Sequence, residues 1–331
     1  MPESDIFDVA SQYETDSKIT KIEYHSYTPY TTSFNNNDKR RISIQQTDVY
    51  TYLHESFIYL EGIILEADKV KLSNNGYSYL FEQIRLEING IEVDSTRVLR
   101  ITSSLKGYLS ATPDNYICYE NSGWNFKNET RSVNKKGESS ACISLKHWSF
   151  ETSENHELGT TKKVIWNLKT ASKSEKPRFI IIGLQKGRKN TFTKDCSIFD
   201  HCNLTNVKVF LNSIAYPYDN LNLDFVKNNF TLLYDMYTSF QESYYEKTVW
   251  NPILSPSTFL ANAPIIVIDT SKQNDSATAS AVDVQLEIEA SESLTDEELL
   301  EDELAVAHTK PTTNIDLEAD HIISSLCSIT D

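Results

Sequence analysis

The sequence predicts an all-β class protein, mainly β in content and built from two stacked antiparallel sandwiches. Three observations carry this. Apolar segments recur at strand length, one of them alternates strictly, and an Asn-Gly pair sits inside another. Val282, Val284, Leu286 and Ile288 alternate with Asp283, Gln285, Glu287 and Glu289, the period of a strand with one dry face. Asn89-Gly90 suits a two-residue hairpin turn, because both central positions need φ > 0. At 331 residues the chain exceeds the usual size of one core, so two domains are expected.

Taken in order, residues 1–37 are polar, end in Asn35-Asn36-Asn37, and read as a flexible arm. Ile42-Ser43-Ile44 alternates, and Phe57–Leu65 reads as a buried strand. Around Asn89-Gly90 the expected register sets Ile88 opposite Ile91, Glu87 opposite Glu92, Leu86 opposite Val93 and Arg85 opposite Asp94. Ile84, Leu86, Ile88, Ile91 and Val93 then share one dry face. Later strands are expected over Lys163–Leu168, Arg178–Leu184, Thr205–Asn212 and Pro264–Asp269.

Two stretches break the β rhythm. Val98, Ile101, Leu105 and Tyr108 fall at helical spacing, as do Phe230, Leu233, Tyr234, Tyr237 and Tyr244 in a run without Pro or Gly. Both predict helices carried in connections between strands. The stripe Phe230, Leu233, Tyr234 and Tyr237 is the candidate self-association surface. Ala171–Pro177 is the most linker-like stretch and divides the body into domains at 38–172 and 173–290. Beyond Ala290, residues 291–331 are expected to form an acidic tail outside the folded body. Within it a Thr295/Glu298 capping box precedes Leu299, Leu300 and Leu304. The tail reads either as a solubilising segment or as a short helix that folds on a protein partner.

Charge is unevenly placed. Net charge is −16, of which Glu287–Asp331, with 13 acidic residues and one lysine, holds −12. A nearly neutral body with an acidic end argues against direct nucleic-acid binding, which needs clustered Lys and Arg. Lys39-Arg40-Arg41 and Lys186 with Arg188-Lys189 are short and read as solvated loops. No apolar run reaches the roughly 20 residues that cross a bilayer. The N-terminus lacks a signal-peptide pattern, so an intracellular setting, cytoplasm or nucleus, is expected. Five scattered cysteines are then expected to stay reduced, and the sequons at Asn128, Asn203, Asn229 and Asn274 bare.

Catalytic and metal motifs fail on spacing. Gly183 to Gly187 after a strand is too short for a phosphate loop and no Lys-Ser/Thr follows. Asn220, Asn222 and Asp224 lack the Gly and closing Glu of a calcium loop, and Leu221, Leu223 and Phe225 read as packing inward. Cys196, His201 and Cys202 lack a second ligand pair for zinc. No nucleophile elbow or HExxH is present. No enzyme, cofactor or metal is therefore expected. The 18 tyrosines suit either an interface or a Tyr-rich sandwich rim.

Several strings carry a family likeness. They are Tyr59-Leu60-Glu61-Gly62, Leu72 to Gly76, Leu80 to Asp94 and Leu105 to Ser110, then Asp200 to Val207, Leu211-Asn212-Ser213 and Tyr216 to Phe225. Over roughly Ile42 to Glu289 the chain resembles the double jelly-roll major capsid-like proteins of Polinton/Maverick-type (adintovirus-like) elements in animal genomes. The resemblance implies two jelly rolls in tandem, a homotrimer forming a pseudo-hexagonal capsomer, and a virion if the element is active. In that family the strand matching Val282–Glu289 is followed by a further hydrophobic strand, where this chain has its acidic segment. A host-adopted jelly-roll interaction module that no longer forms capsids is the alternative.

Overall fold

The structure, a computed structural model, describes residues 21–30, 39–45, 50–51, 56–63, 73–97, 99–120, 122–126, 138–144, 150–157, 161–168, 177–188, 194–245, 251–272, 283–294, 303–309 and 327–330. In chain order the strands are β1 (Lys21–Tyr24), β2 (Tyr50–Thr51), β3 (Phe57–Ile63), β4 (Gln83–Ile88), β5 (Ile91–Arg97), β6 (Glu138–Ser144), β7 (Phe150–Glu157), β8 (Lys163–Leu168), β9 (Phe179–Gln185), β10 (Leu204–Leu211), β11 (Ile214–Tyr216), β12 (Ile266–Asp269), β13 (Val284–Ala290), β14 (Glu303–Thr309) and β15 (Cys327–Thr330). The helices are α1 (Leu99–Ser110), α2 (Tyr116–Glu120), α3 (Thr231–Tyr245) and α4 (Pro256–Asn262).

The chain divides into two units. One comprises Met1–Ile58, Ser144–His147 and Asp316–Asp331; the other comprises Tyr59–Ile143 and Trp148–Ile315. The first contains the sheet β1-β15-β2. Lys21–Tyr24 is thus a strand within the stretch expected to be an arm, while residues 1–20 and 31–37 lie outside the described residues. Ile42-Ser43-Ile44 forms no strand despite its alternation.

The second unit contains a complete eight-strand roll. Its sheets run β11-β10-β13-β8 and β12-β9-β14-β7, with every described pairing antiparallel. Counting from β7, the first strand pairs with the eighth, the second with the seventh, the third with the sixth and the fourth with the fifth. That nesting is one long hairpin folded over on itself, the topology of a jelly roll. β9–β14 and β10–β13 pairs complete the two sheets.

Two expectations are corrected by this ladder. The division at 172/173 falls inside one roll, because β8 pairs with β13 and β7 with β14. Residues 291–331 are not wholly outside the body, because β14 lies between β9 and β7. Its central Leu304-Ala305-Val306-Ala307 is uncharged, and the acidic run sits ahead of it in the β13–β14 connection. Ser291–Leu294 is not helical, and residues 295–302, with the expected capping box, lie outside the described residues. So do the linker residues 171–176.

Alternation decides the burial of β13. Val284, Leu286, Ile288 and Ala290 are buried and the residues between them half-exposed. β9 is buried along its whole length instead, the mark of a strand covered on both faces. Phe179 meets Phe240 of α3 edge-on, and a Cβ at Gly183 would lie 2.6 Å from the Phe199 ring and 3.0 Å from Leu105 of α1. One face of β9 therefore carries α1, α3 and Phe199, and glycine at 183 permits the close approach. By period two, Ile180, Ile182 and Leu184 occupy the other face, each essentially inaccessible to solvent.

The two predicted helices form, and their stripes face inward. Ile101, Leu105 and Tyr108 of α1 are buried, as are Leu233, Tyr237 and Phe240 of α3. Val98 lies outside the described residues. The β4–β5 hairpin forms at Asn89 (φ 51°) and Gly90 (φ 79°), with Ile88 opposite Ile91 and Glu87 opposite Glu92. Beyond that the register shifts by one, so Leu86 faces Asp94 and Arg85 faces Ser95. A bulge in β5 removes the expected Arg85–Asp94 and Leu86–Val93 pairs. Arg85 instead sits 2.5 Å from Glu87 and 3.2 Å from Glu92, relieving their repulsion. The hairpin face expected to be dry is only half-covered, and Ile91 is 70% exposed.

Candidate functional site

The stripe expected to mediate self-association faces its own chain. Leu233 is 0% and Tyr237 2% exposed, so neither is available to a second copy. Phe230 and Tyr234 are partly buried against the same core, and the Tyr234 hydroxyl donates to the Leu254 carbonyl at 2.9 Å. Fully burying a side chain of this size contributes about 1.5–3 kcal/mol, and an amphipathic helix gains it most simply from the nearest sheet. The hairpin residues Asn89 and Gly90 are exposed and take the expected turn.

Other apolar side chains of this unit, besides Ile91, reach solvent. Ile165 on β8, Ile214 on β11, Leu232 on α3, Tyr218 and Val226 are exposed, the last two by 87% and 90%. Strand alternation had marked no surface role for them, since a lone exposed apolar residue has no period. On β13, Glu287 and Glu289 stand on the half-exposed face and both meet Lys163 Nζ, at 2.5 and 3.0 Å. Glu287 pairs in register with Ile165 of β8 and Lys208 of β10. That sheet therefore presents a mixed-charge outer row with Ile165 at its edge strand, one dry and one wet face.

The most built polar region surrounds a cleft of about 390 Å3 lined by Lys186, Phe199, Asp200, His201, Asn203 and Glu292 among others. Asp200 accepts from Arg188 Nε at 2.8 Å and Nη2 at 2.7 Å, and from the Lys186 amide at 2.8 Å. Burial opposes the charge of Arg188, but the Asp200 contacts outweigh it and hold its pKa above the usual value. This fork closes the turn after β9, where Gly187 takes φ 54°. The Gly183–Gly187 stretch is thus a strand and a turn, as its spacing implied.

His201 opens the turn into β10. The Leu204 amide donates to the His201 carbonyl at 3.0 Å, across Cys202 (φ 44°) and Asn203 (φ 48°). Both central residues are left-handed, a conformation that cysteine adopts at a cost. The Asn203 amide donates to His201 Nδ1 at 3.0 Å, and the imidazole stacks on Phe225 with centroids 4.3 Å apart. Burial holds the His201 pKa below the usual imidazole value, against the pull of Asp200. The three residues weighed for zinc are placed apart in role: Cys196 Sγ contacts Ser73 Oγ at 3.2 Å, while His201 serves its own turn. Cys118, Cys196 and Cys202 form no disulfide.

Asn220, Asn222 and Asp224 likewise brace loops. Asn220 Oδ1 accepts from Asn206 and Asp224 from Lys227, while Leu221 and Leu223 are buried. Among the described residues no cluster of three His, Cys, Asp or Glu is placed to hold a metal ion, and no helix is long and apolar enough to cross a membrane.

The described residues form sheets, helices that bury aromatic side chains, and loops closed by their own polar groups. No curated protein matches the chain. A family profile, the double jelly roll-like domain, matches residues 70–136 and 128–298, well over half of the 331 residues. Its second segment spans most of the roll built by β7 to β14, with β14 itself lying beyond its end. The chain belongs to the double jelly roll-like domain family.

Proposed function

We propose that this protein is a non-enzymatic, capsid-type structural protein that self-associates as a homotrimer, of the kind encoded by Polinton/Maverick-type elements. The observation that carries the reading is the nested eight-strand roll together with the family match across 70–298. A sandwich with a covered inner sheet and polar loops closed on themselves offers rigid outer faces for lateral contact. Exposed Ile165, Ile214, Tyr218 and Val226 are among the apolar groups that such contacts would cover, rather than the α3 stripe. Assembly is intracellular in this reading, with no direct nucleic-acid or membrane contact.

Light scattering on the purified full chain tests the proposal. A stable species of three times 37.8 kDa, with pseudo-hexagonal particles by negative-stain microscopy, is the expected result. A monomer at micromolar concentration would overturn it in favour of an adopted interaction module that uses its acidic segment to bind a partner. The genomic neighbourhood tests origin: a packaging ATPase or protein-primed polymerase beside the gene is expected for an active element.

A further inference from the structure

We propose that His201 is an acid-sensitive latch, whose neutral imidazole holds the turn into β10 and through it the start of the β13–β14 connection. The bond that matters runs from the Asn203 amide to Nδ1, which can accept only when that nitrogen carries no proton. It steadies two successive left-handed residues, of which Cys202 has no intrinsic preference for that conformation. Asn203 passes the restraint on. Its carbonyl accepts from the Ser291 amide at 3.0 Å and from Ser291 Oγ at 3.3 Å, and its Nδ2 donates to Glu292 Oε2 at 3.0 Å. Three contacts thus fasten the residues that follow β13 to a turn whose geometry needs an unprotonated ring.

The charged surroundings do not cancel the effect. Asp200 favours the imidazolium, but its carboxylate is engaged by Arg188 and the Lys186 amide. Glu292 is engaged by Asn203, and Lys186, lining the same cleft, opposes a second positive charge. Asp224, next in sequence to the stacked Phe225, is paired with Lys227, and Leu260 and Ala261 of α4 bring no charge. Because burial lowers the folded-state pKa, the unfolded turn binds the proton more readily than the folded one. The latch is therefore fully engaged above about 6.5 and weakens as pH falls through that value toward the folded pKa.

Amide hydrogen exchange on the full-length protein, read at Asn203 and Ser291 as protection factors, tests this. Between pH 7.5 and pH 5 protection at both amides should fall severalfold as the ring takes up its proton. His201→Asn places an amide oxygen near the Nδ1 position without titrating, and should keep protection constant over the same range. Protection in the wild type that does not change, or that falls equally in His201→Asn, overturns the proposal. If His201→Asn does not fold, imidazole NMR on the wild type decides: a neutral ring protonated on Nε2 with a pKa below 6.5 supports the latch, and a pKa of 6.5 or higher, or a proton on Nδ1, overturns it.

Discussion

The Tyr237 hydroxyl donates a 2.9 Å hydrogen bond to the backbone carbonyl of Tyr108, 129 residues away in sequence. The contact belongs to a series. Tyr237, Gln241 and Tyr245 lie four residues apart on one side of α3, and all three reach the C-terminal end of α1. Gln241 Nε2 donates to the carbonyls of Leu109 and Ala111 at 3.1 and 3.2 Å, and the Tyr245 hydroxyl meets Ser110 Oγ at 3.1 Å. The last carbonyls of a helix have no partner within it, so α3 caps α1 from across the fold.

Gln241→Leu keeps the bulk of the buried side chain but leaves two carbonyls without their donor. Each buried unsatisfied group costs about 1–3 kcal/mol, so denaturant unfolding should show a loss of about 2–5 kcal/mol. Stability equal to wild type would mean that water replaces the cap.

Alkaline pH should unfold the protein through its buried phenols. Burial pushes Tyr108 up to about 12 and raises Tyr237 further. The fold retains protons that the unfolded chain releases near its ordinary phenol pKa, about 10. Stability from these groups is complete below that value and is lost as pH rises above it. Between pH 10 and 12 the decline should be shallower in Tyr108→Phe by up to about 1.4 kcal/mol per pH unit, measured by chemical denaturation. Parallel declines in the two proteins would remove Tyr108 from the account.

Truncation after Ala290 deletes β14, whose ladder joins β9 to β7. A sheet that loses an interior strand exposes two edges, and a loss of several kcal/mol corresponds to roughly 10 °C or more at this size. Calorimetry should find the melting transition lowered by that amount or abolished. A truncated chain that melts with the intact one would show that β14 contributes nothing to the roll.

At Gly90 (φ 79°) a Cβ would meet nothing within 4 Å, so a side chain there is opposed by backbone conformation alone. Gly90→Val should cost about 1–3 kcal/mol. Gly90→Asn should cost far less, because asparagine tolerates the left-handed region. Equal losses in the two variants would point to crowding at the hairpin tip rather than strain.

Local rules were legible in the chain itself. The alternation of Val284 to Ile288, the helical spacing of Leu233 and Tyr237, and the Asn89-Gly90 turn each follow from side-chain direction over a few residues, and each is realised. What α3 buries against was not legible, because an apolar stripe looks the same whether it meets its own sheet or another copy. The β5 bulge escaped for a related reason: an extra residue changes register without changing composition. Nor could β14 be placed from sequence, since its seven residues follow an acidic run and their hydrogen-bonding groups are the same as any other segment's. The sequence by itself determined the mainly β class, several strands, among them β8, β9, β10, β12 and β13, the helices α1 and α3, and the Asn89-Gly90 turn. Only the tertiary structure decided which strands are neighbours and that β7 to β14 close one roll across the expected domain boundary, because the pairings within that roll join residues up to 159 positions apart.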